Sequence, residues 1–128
     1  MLEVMNKTAY QGGVYQVDLG TGIGSEQQGV RPCICISNDI NNVYSTTVQL
    51  IPLTTQVKTN IPSHYILLKS RYPFLKQDSV VLTEQITTKS ILRIKKFLGR
   101  IEEQDMNKIA QCLLIQLGLD KNNLGMQE

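Results

Sequence analysis

The sequence predicts a mostly β fold with a C-terminal helix, built as a small barrel-like sheet against which the helix packs. Three observations lead to this α+β fold class. The chain has 128 residues, which is enough for one hydrophobic core but not for two. Most of the chain consists of short runs of strand-forming residues separated by turn signals. Only its last part shows the periodicity of an amphipathic helix, so a single domain over residues 1–128 is predicted.

Six strands are predicted from the short apolar runs. They cover residues 14–19, 32–36, 46–53, 65–68, 79–87 and 94–101. The second run is apolar on both faces, which is typical of a strand at the centre of a sheet. The glycine-rich residues 20–29 predict a long exposed loop, residues 38–42 a turn, and residues 54–62 a second loop.

The helix is predicted between Met106 and Leu117, where apolar residues recur at helical spacing. Acidic residues crowd the start of this segment and favour the helix dipole, and Gly118 ends it. Residues 1–9 show no periodicity and are interpreted as a loose N-terminal extension. Residues 120–128 are polar and are interpreted as a frayed tail.

Composition places the chain among ordinary globular proteins, with 41% hydrophobic and 19% charged residues. No apolar run is long enough for a transmembrane helix or a signal peptide, so no membrane association and a cytoplasmic location are expected. The net charge of +2 is unevenly distributed, with −2 over residues 1–57, +7 over residues 58–100 and −3 over residues 101–128. Such asymmetry indicates a polyanionic partner, either a nucleic acid or an acidic peptide, unless it is only a solvated strand face.

The three cysteines are expected to be small buried hydrophobic residues. Cys33 and Cys35 lie two apart on a predicted strand and share one face, whereas Cys112 lies on the helix. Their spacing does not form a zinc set with the single histidine, His64. No metal and no other cofactor is therefore predicted.

The most informative stretch is residues 24–39, a polar glycine-bounded loop that leads into a buried strand. It contains Gly-Ser-Glu-Gln-x-Gly-x-Arg-Pro, an apolar run and Asn-Asp. This block resembles the signature of the MazF/PemK toxins, endoribonucleases of type II toxin–antitoxin systems. Further blocks match in the same order, at residues 13–19, 52–55, 62–64 and 78–86 and in the terminal helix. The similarity therefore runs from about residue 12 to residue 119.

The resemblance implies an SH3-like barrel of the MazF/PemK/CcdB type, usually a homodimer. It also implies an mRNA interferase, a metal-independent endoribonuclease that cleaves single-stranded RNA and is silenced by an acidic MazE-like antitoxin. Attack of a 2′-OH on the adjacent phosphate would leave a 2′,3′-cyclic phosphate and a 5′-OH end. This reaction needs a base, stabilisation of charge on the phosphate oxygens, and protonation of the leaving oxygen.

Arg31 is the candidate for charge stabilisation, because a guanidinium fork matches two phosphate oxygens at once. Thr54 stands where family members place a catalytic threonine, and its hydroxyl can donate to a phosphate oxygen or orient Arg31. The general base is left open between Arg31 and Glu26. A guanidinium is a poor base near neutral pH, whereas Glu26 could accept the proton or could simply hold Arg31 in place.

Ser25, Gln27 and Gln85 are expected to position the substrate, because hydroxyls and amides can hydrogen-bond to the edges of unpaired bases. Tyr44 is the candidate for aromatic stacking. His64 has no second histidine and no acidic residue near it in the sequence, which favours a structural or surface role. One departure from the family is Gly13, where most members have Asp or Glu.

Two other functional classes remain open from the sequence. One is a protein-directed poison like the CcdB toxins, which bind DNA gyrase but lack the Gly-Ser-Glu-Gln…Arg-Pro block. The other is a nucleic-acid-binding module that uses the basic strand at residues 94–101 without cleaving its ligand. The acidic antitoxin is expected to compete with RNA for a positive groove that includes Lys95 and Lys96.

Overall fold

The computed structural model describes residues 9–56 and 61–120. Most of the predicted N-terminal extension, most of the predicted tail and part of the second predicted loop therefore lie outside the described residues. Ala9, the last residue of the predicted extension, is described and is almost fully buried. Within the described ranges, no helix is both long and apolar enough to cross a membrane.

The described residues form seven strands and two α-helices. The strands are β1 (Gly13–Asp18), β2 (Val30–Cys35), β3 (Thr47–Thr54), β4 (His64–Leu67), β5 (Ser79–Leu82), β6 (Thr87–Ser90) and β7 (Ile94–Arg100). The helices are α1 (Asp39–Tyr44) and α2 (Glu103–Leu117). Short 3₁₀ turns at Thr83–Gln85 and Ile91–Arg93 precede β6 and β7.

All strand pairs are antiparallel, in the order β4-β5-β3-β2-β1-β7, and β6 also pairs with β3. One edge of β3 pairs with β2, and its other edge pairs first with β6 and then with β5. Among the described strands the sheet stays open, with β4 and β7 at its two ends. The predicted fold class is confirmed as a mostly antiparallel sheet with a C-terminal helix, and so is the central place of β2. The predicted barrel is not closed, since β4 and β7 do not pair within the described residues.

The sheet has a hydrophobic cluster on each face because successive side chains of a strand point in opposite directions. Val14, Ile34 and Ile51 belong to the first cluster, which also receives Ile109 from α2. The second cluster contains Cys33 and Cys35 together with neighbours from β1 and β3. The prediction that these cysteines are buried and share one face is confirmed, and burial raises the pKa of Cys33 to about 12.

Helix α2 is anchored to the sheet by a buried carboxylate in its first turn. Tyr65 donates a hydrogen bond to Asp105 at 2.6 Å, and Tyr72 donates one to the other carboxylate oxygen. At the other end Gly118 adopts the left-handed conformation (φ 70°) that closes a helix, as predicted. The helix begins at Glu103, three residues before the first apolar residue of the predicted periodicity.

The turn predicted over residues 38–42 is wrong, because this segment begins helix α1. Asn38 caps the helix, with its side chain accepting a hydrogen bond from the Asn41 N–H at 2.8 Å. Asn42 is buried, and its amide bonds to the hydroxyl (2.6 Å) and the carbonyl oxygen (2.9 Å) of Ser37. Turn-forming residues thus become a helix because two of them satisfy buried or capping hydrogen bonds.

The single strand predicted over residues 79–87 is also wrong, because the chain leaves the ladder between β5 and β6. The interruption is the 3₁₀ turn Thr83–Gln85. The buried Thr83 hydroxyl donates to the Ser63 carbonyl at 2.6 Å and holds this turn against the start of β4. The interruption directs Gln85 towards the loop that follows β1.

Gly13 is explained by a close approach of an aromatic ring. A Cβ atom added at this position would lie 2.7 Å from the Tyr15 ring. The Tyr15 hydroxyl in turn accepts a hydrogen bond from the Tyr10 N–H at 2.9 Å. An acidic side chain at residue 13 would have to displace this ring, so the glycine and the tyrosine form one packing unit.

Candidate active site

The loop between β1 and β2 is closed at its neck by main-chain hydrogen bonds. Leu19 N–H donates to the Gly29 carbonyl, and Gly29 N–H donates to the Gly20 carbonyl, each at 2.9 Å. Gly20 and Gly29 have φ angles of 77° and 75°, which side chains other than glycine rarely adopt. The loop is exposed, as predicted, but its two ends are firmly tied together.

Inside the loop, side chains bond to the loop's own backbone. The Glu26 carboxylate accepts a hydrogen bond from Ile23 N–H at 2.8 Å. The Gln28 side-chain oxygen accepts one from Gly22 N–H at 3.1 Å. One oxygen of Glu26 is therefore already engaged in shaping the loop.

Arg31 follows the loop, near the start of β2. Its Nε donates to the Gln28 carbonyl at 2.9 Å, which ties the guanidinium to the loop backbone. Within the described part of the chain this is the hydrogen bond that Arg31 makes, so its two terminal nitrogens stay available to a ligand. The side chain is half-buried.

Arg31 and Thr54 line the same open groove, which has a volume of about 540 Å³. The ladder between β2 and β3 runs as far as the pair Cys33 and Pro52, and Arg31 and Thr54 each lie two residues beyond this pair on their own strands. The two residues are 23 positions apart in the chain, and the pairing of β2 with β3 brings their strands side by side.

Four further polar residues line the same groove and were not singled out as part of the site from the sequence alone. They are Gln16 on β1, Thr55 just after β3, Lys76 in the turn before β5, and Ser79 at the start of β5. The groove also contains Lys96 of β7, which was predicted only as part of a positive surface. No sequence signal distinguishes Lys76 from other basic residues, because its place depends on how the irregular segment before β5 folds over the sheet.

Glu26, Gln27 and Gln85 line a second, adjacent hollow of about 350 Å³, together with Glu84 and Lys89. The Gln85 side chain contacts the loop, because its oxygen accepts from Gln27 N–H at 3.3 Å and its nitrogen donates to the Ser25 carbonyl at 3.1 Å. The side-chain oxygen of Gln27 is buried and has no hydrogen-bond partner among the described residues. The predicted site residues are thus divided between two hollows.

The other two predicted site residues line neither of these hollows. Ser25 is exposed on the loop, where its carbonyl is bound by Gln85. Tyr44 is 86% exposed at the end of α1 and lines neither of the two hollows.

His64 has an acidic partner that the sequence did not reveal. Its Nε2 lies 2.7 Å from a carboxylate oxygen of Glu84, and its side chain is only 5% exposed. Glu84 is 20 residues away in the sequence, and it comes close because β4 pairs with β5 and brings the 3₁₀ turn beside His64. His64 lines neither hollow.

The described residues contain no group of three His, Cys, Asp or Glu side chains that could hold a metal ion. The chemistry available in the first groove is that of a guanidinium, hydroxyls and lysine ammonium groups. Such groups bind phosphate oxygens.

Comparison with known proteins identifies the family. Residues 10–117 match the family described as PemK-like, MazF-like toxin of type II toxin–antitoxin system. The chain is 41% identical over 110 residues to the endoribonuclease MazF of Staphylococcus saprophyticus, covering 85% of this chain and 91% of that protein.

Solved structures agree with this assignment. An endoribonuclease in complex with its cognate antitoxin, from a mycobacterial species, superposes with a TM-score of 0.72 at 28% identity and covers 88% of this chain and 97% of that one. MazF from Deinococcus radiodurans has the same fold, with a TM-score of 0.72 at 20% identity over 87% of this chain and 97% of that one. From the family match and the 41% identity we conclude that this chain belongs to the PemK-like, MazF-like toxins of type II toxin–antitoxin systems.

Proposed function

We propose that this toxin is a metal-independent endoribonuclease that cleaves single-stranded RNA, including mRNA, by internal attack of a 2′-OH on the adjacent phosphate. The observation that carries the proposal is that Arg31 and Thr54 line one open groove together with two lysines. The relative at 41% identity is an endoribonuclease.

The groove suits a phosphate that gains charge during the reaction. Arg31 offers two free terminal nitrogens, and Lys76 and Lys96 add positive charge along the same walls. A planar guanidinium can bind two phosphate oxygens at once, and its hydrogen bonds strengthen as negative charge develops on them. The Thr54 hydroxyl donates to one of these oxygens or orients Arg31.

The reaction itself requires only the substrate's own nucleophile. The 2′-oxygen forms a bond to phosphorus as its proton passes to a base, and the bond from phosphorus to the 5′-oxygen breaks. The 5′-oxygen takes up a proton and leaves as a 5′-OH, and the other product ends in a 2′,3′-cyclic phosphate. No water is consumed, so no water has to be activated by a metal ion.

The base is Glu26 or Arg31. Glu26 has one carboxylate oxygen engaged with Ile23 N–H and lies in the adjacent hollow. To use Glu26, a bound RNA must extend from the groove into that hollow. Arg31 is in the groove, but a guanidinium stays protonated near neutral pH and has to lose that proton before it can act as a base.

Recognition of the bases is proposed for the loop and its surroundings. Ser25 and Gln27 are carried by the exposed loop beside the groove. Tyr44 offers an exposed ring for stacking at a distance from both hollows. Stacking on an aromatic side chain stabilises an unpaired base by about 1–3 kcal/mol.

The proposal is tested by incubating the purified protein with single-stranded RNA in excess EDTA. Cleavage that leaves a cyclic phosphate is expected, and an RNA with a 2′-deoxy sugar at the cut site should stay intact. Hydrolysis of the deoxy substrate would exclude the 2′-OH route. Retention of RNA without cleavage would indicate a binding module, and neither retention nor cleavage would indicate a protein-directed poison.

We also propose that the toxin acts in the cytoplasm as a homodimer and is silenced by an acidic MazE-like antitoxin. One similar structure is an endoribonuclease with its cognate antitoxin. An acidic segment has the charge needed to occupy the groove beside Lys76 and Lys96. Titrating an RNA-bound Arg31→Ala variant with the acidic peptide should displace the RNA, and simultaneous binding without loss of affinity would contradict a shared groove.

A further inference from the structure

The amide of Gln85 bonds through both its oxygen and its nitrogen to the main chain of the β1–β2 loop. Its oxygen accepts a hydrogen bond from Gln27 N–H at 3.3 Å, and its nitrogen donates one to the Ser25 carbonyl at 3.1 Å. These contacts join segments separated by 58 and 60 residues in the chain. They hold the part of the loop that is furthest from its closed neck.

The same loop touches the guanidinium of Arg31. The Gln28 carbonyl, next to the residue held by Gln85, accepts the hydrogen bond from Arg31 Nε at 2.9 Å. A main-chain carbonyl oxygen keeps its position only when the backbone that carries it keeps its conformation. The direction of the Arg31 side chain therefore depends on the conformation of residues 25–28.

We propose that Gln85 is a positioning residue for the candidate active site: its amide holds the loop whose Gln28 carbonyl orients the guanidinium of Arg31. The rigid support is the 3₁₀ turn Thr83–Gln85, which the buried bond from Thr83 to the Ser63 carbonyl fixes to the sheet. A catalytic side chain is effective only when a surrounding shell locks its geometry. The expected effect of Gln85 on the reaction rate rests on the proposed function, whereas its expected effect on the loop does not.

This assignment differs from the sequence prediction that Gln85 binds the substrate. The amide keeps its second N–H and the second lone pair of its oxygen, so kinetics has to separate a positioning role from a reading role. A positioning role predicts a slower reaction with every RNA sequence. A reading role predicts a changed choice of sequence or weaker binding.

The chain offers a matched control in Gln49 on β3. Its amide also bonds to the protein, donating to the Thr88 hydroxyl at 3.0 Å, but it does not touch the loop. Gln85→Ala and Gln49→Ala thus remove the same amide, one from the 3₁₀ turn and the other from β3. Thermal unfolding of both variants verifies that the fold is kept.

The first measurement uses the free, isotope-labelled protein and follows solvent exchange of the Gln27 amide proton and the Arg31 Nε proton. Gln85→Ala should speed up both by about fivefold or more, as expected for one lost hydrogen bond, and Gln49→Ala should change neither. Gln85→Glu keeps the acceptor for Gln27 N–H and should leave that proton protected. Unchanged exchange in Gln85→Ala, or an equal change in Gln49→Ala, would overturn the proposal.

The second measurement is cleavage of a panel of RNAs. Gln85→Ala should lower kcat by about fivefold or more with every RNA, with KM and the preferred sequence unchanged. A rise in KM at constant kcat, or a new sequence preference, would show direct contact with RNA and overturn the proposal. If the wild-type protein cuts no RNA, the proposed function fails, and the exchange measurement still decides whether Gln85 holds the loop.

Discussion

Two polar clusters on the same sheet differ in how much of their hydrogen-bonding capacity is used. Asp105 is only 6% exposed, and both of its oxygens are bonded, one to Tyr65 and one to Tyr72. The guanidinium of Arg71 lies 3.6 Å from a carboxylate oxygen of Asp105 and 2.7 Å from one of Glu102. This cluster is closed, in the sense that both carboxylate oxygens of Asp105 already have partners within the protein.

The groove with Arg31 and Thr54 is open instead. Within the described chain, Arg31 uses one of its three nitrogens, and the neighbouring lysines face the same free space. Buried polar groups are costly unless they are satisfied, so a closed cluster serves stability. Groups left unsatisfied at the rim of a groove are available to a ligand. Substitutions should therefore affect stability in one cluster and activity in the other.

The largest effect is expected from Arg31→Lys. The variant keeps the positive charge but loses the planar guanidinium that can bind two phosphate oxygens at once. Loss of a transition-state donor costs about 2.7–4 kcal/mol, or roughly 10²–10³ in kcat. Its unfolding temperature should match that of the wild type. Single-turnover cleavage measures the effect, with Arg100→Lys on β7 as the matched control. A rate within about threefold of the wild type would show that Arg31 does not stabilise the transition state.

Glu26→Gln should reduce kcat by roughly 10²-fold if its carboxylate is the base, since general bases contribute about 10²–10⁴. The amide oxygen can still accept from Ile23 N–H, so the loop should keep its shape. If the rate stays within a few fold of the wild type, proton abstraction belongs to Arg31.

Asp105→Asn should reverse the pattern, with little change in kcat and a loss of stability. Hydrogen bonds to a charged group contribute about 1.5–3 kcal/mol, and the two tyrosine hydroxyls would lose such a partner. Denaturant unfolding measures the loss. Glu103→Gln, exposed in the same helical turn, should change stability by about 0.5 kcal/mol or less. Equal stability of the two variants would mean that the buried cluster does not anchor α2.

The smallest effect is a pH dependence of stability. Burial alone would raise the pKa of Asp105, but hydrogen bonds from Tyr65 and Tyr72 and the charge of Arg71 outweigh it and lower the pKa. A carboxyl with a lowered pKa in the folded state stabilises it above the unfolded value of about 3.9, so stability should fall as the pH drops below about 4.

The two tyrosines should make stability depend on pH at the alkaline end of the range. The hydrogen bond to Asp105 raises the pKa of Tyr65 to about 12. The pKa of Tyr72 is also raised to about 12, first by burial and second by its own hydrogen bond to Asp105. Their contribution is complete below the unfolded value of about 10 and is lost as the pH rises towards 12. Thermal unfolding across pH checks both limbs, and Asp105→Asn should flatten them. Unchanged limbs in that variant would assign them to other groups.

Much of the fold could be predicted because it depends on neighbouring residues. The approximate strand positions of β1–β4 and β7, the exposed loop, the central place of β2 and the end of α2 at Gly118 follow from local patterns of apolar, turn and capping residues. The errors at α1 and at the break between β5 and β6 have a common cause. There, the buried side chains of Asn42 and Thr83 satisfy polar groups of Ser37 and Ser63, and these bonds outweigh local preference.

The sequence by itself determined which residue types are present for the chemistry, and its ordered motifs indicated the family. It identified Arg31 at the junction of loop and strand, and Thr54 at the end of another. Only the tertiary structure decided which residues come together: Arg31 and Thr54 in one groove, Gln85 with the loop, His64 with Glu84, and Asp105 with two tyrosines. The physical reason is that periodicity reports the environment of a residue along its own segment, whereas cross-strand neighbours depend on how separate segments pair.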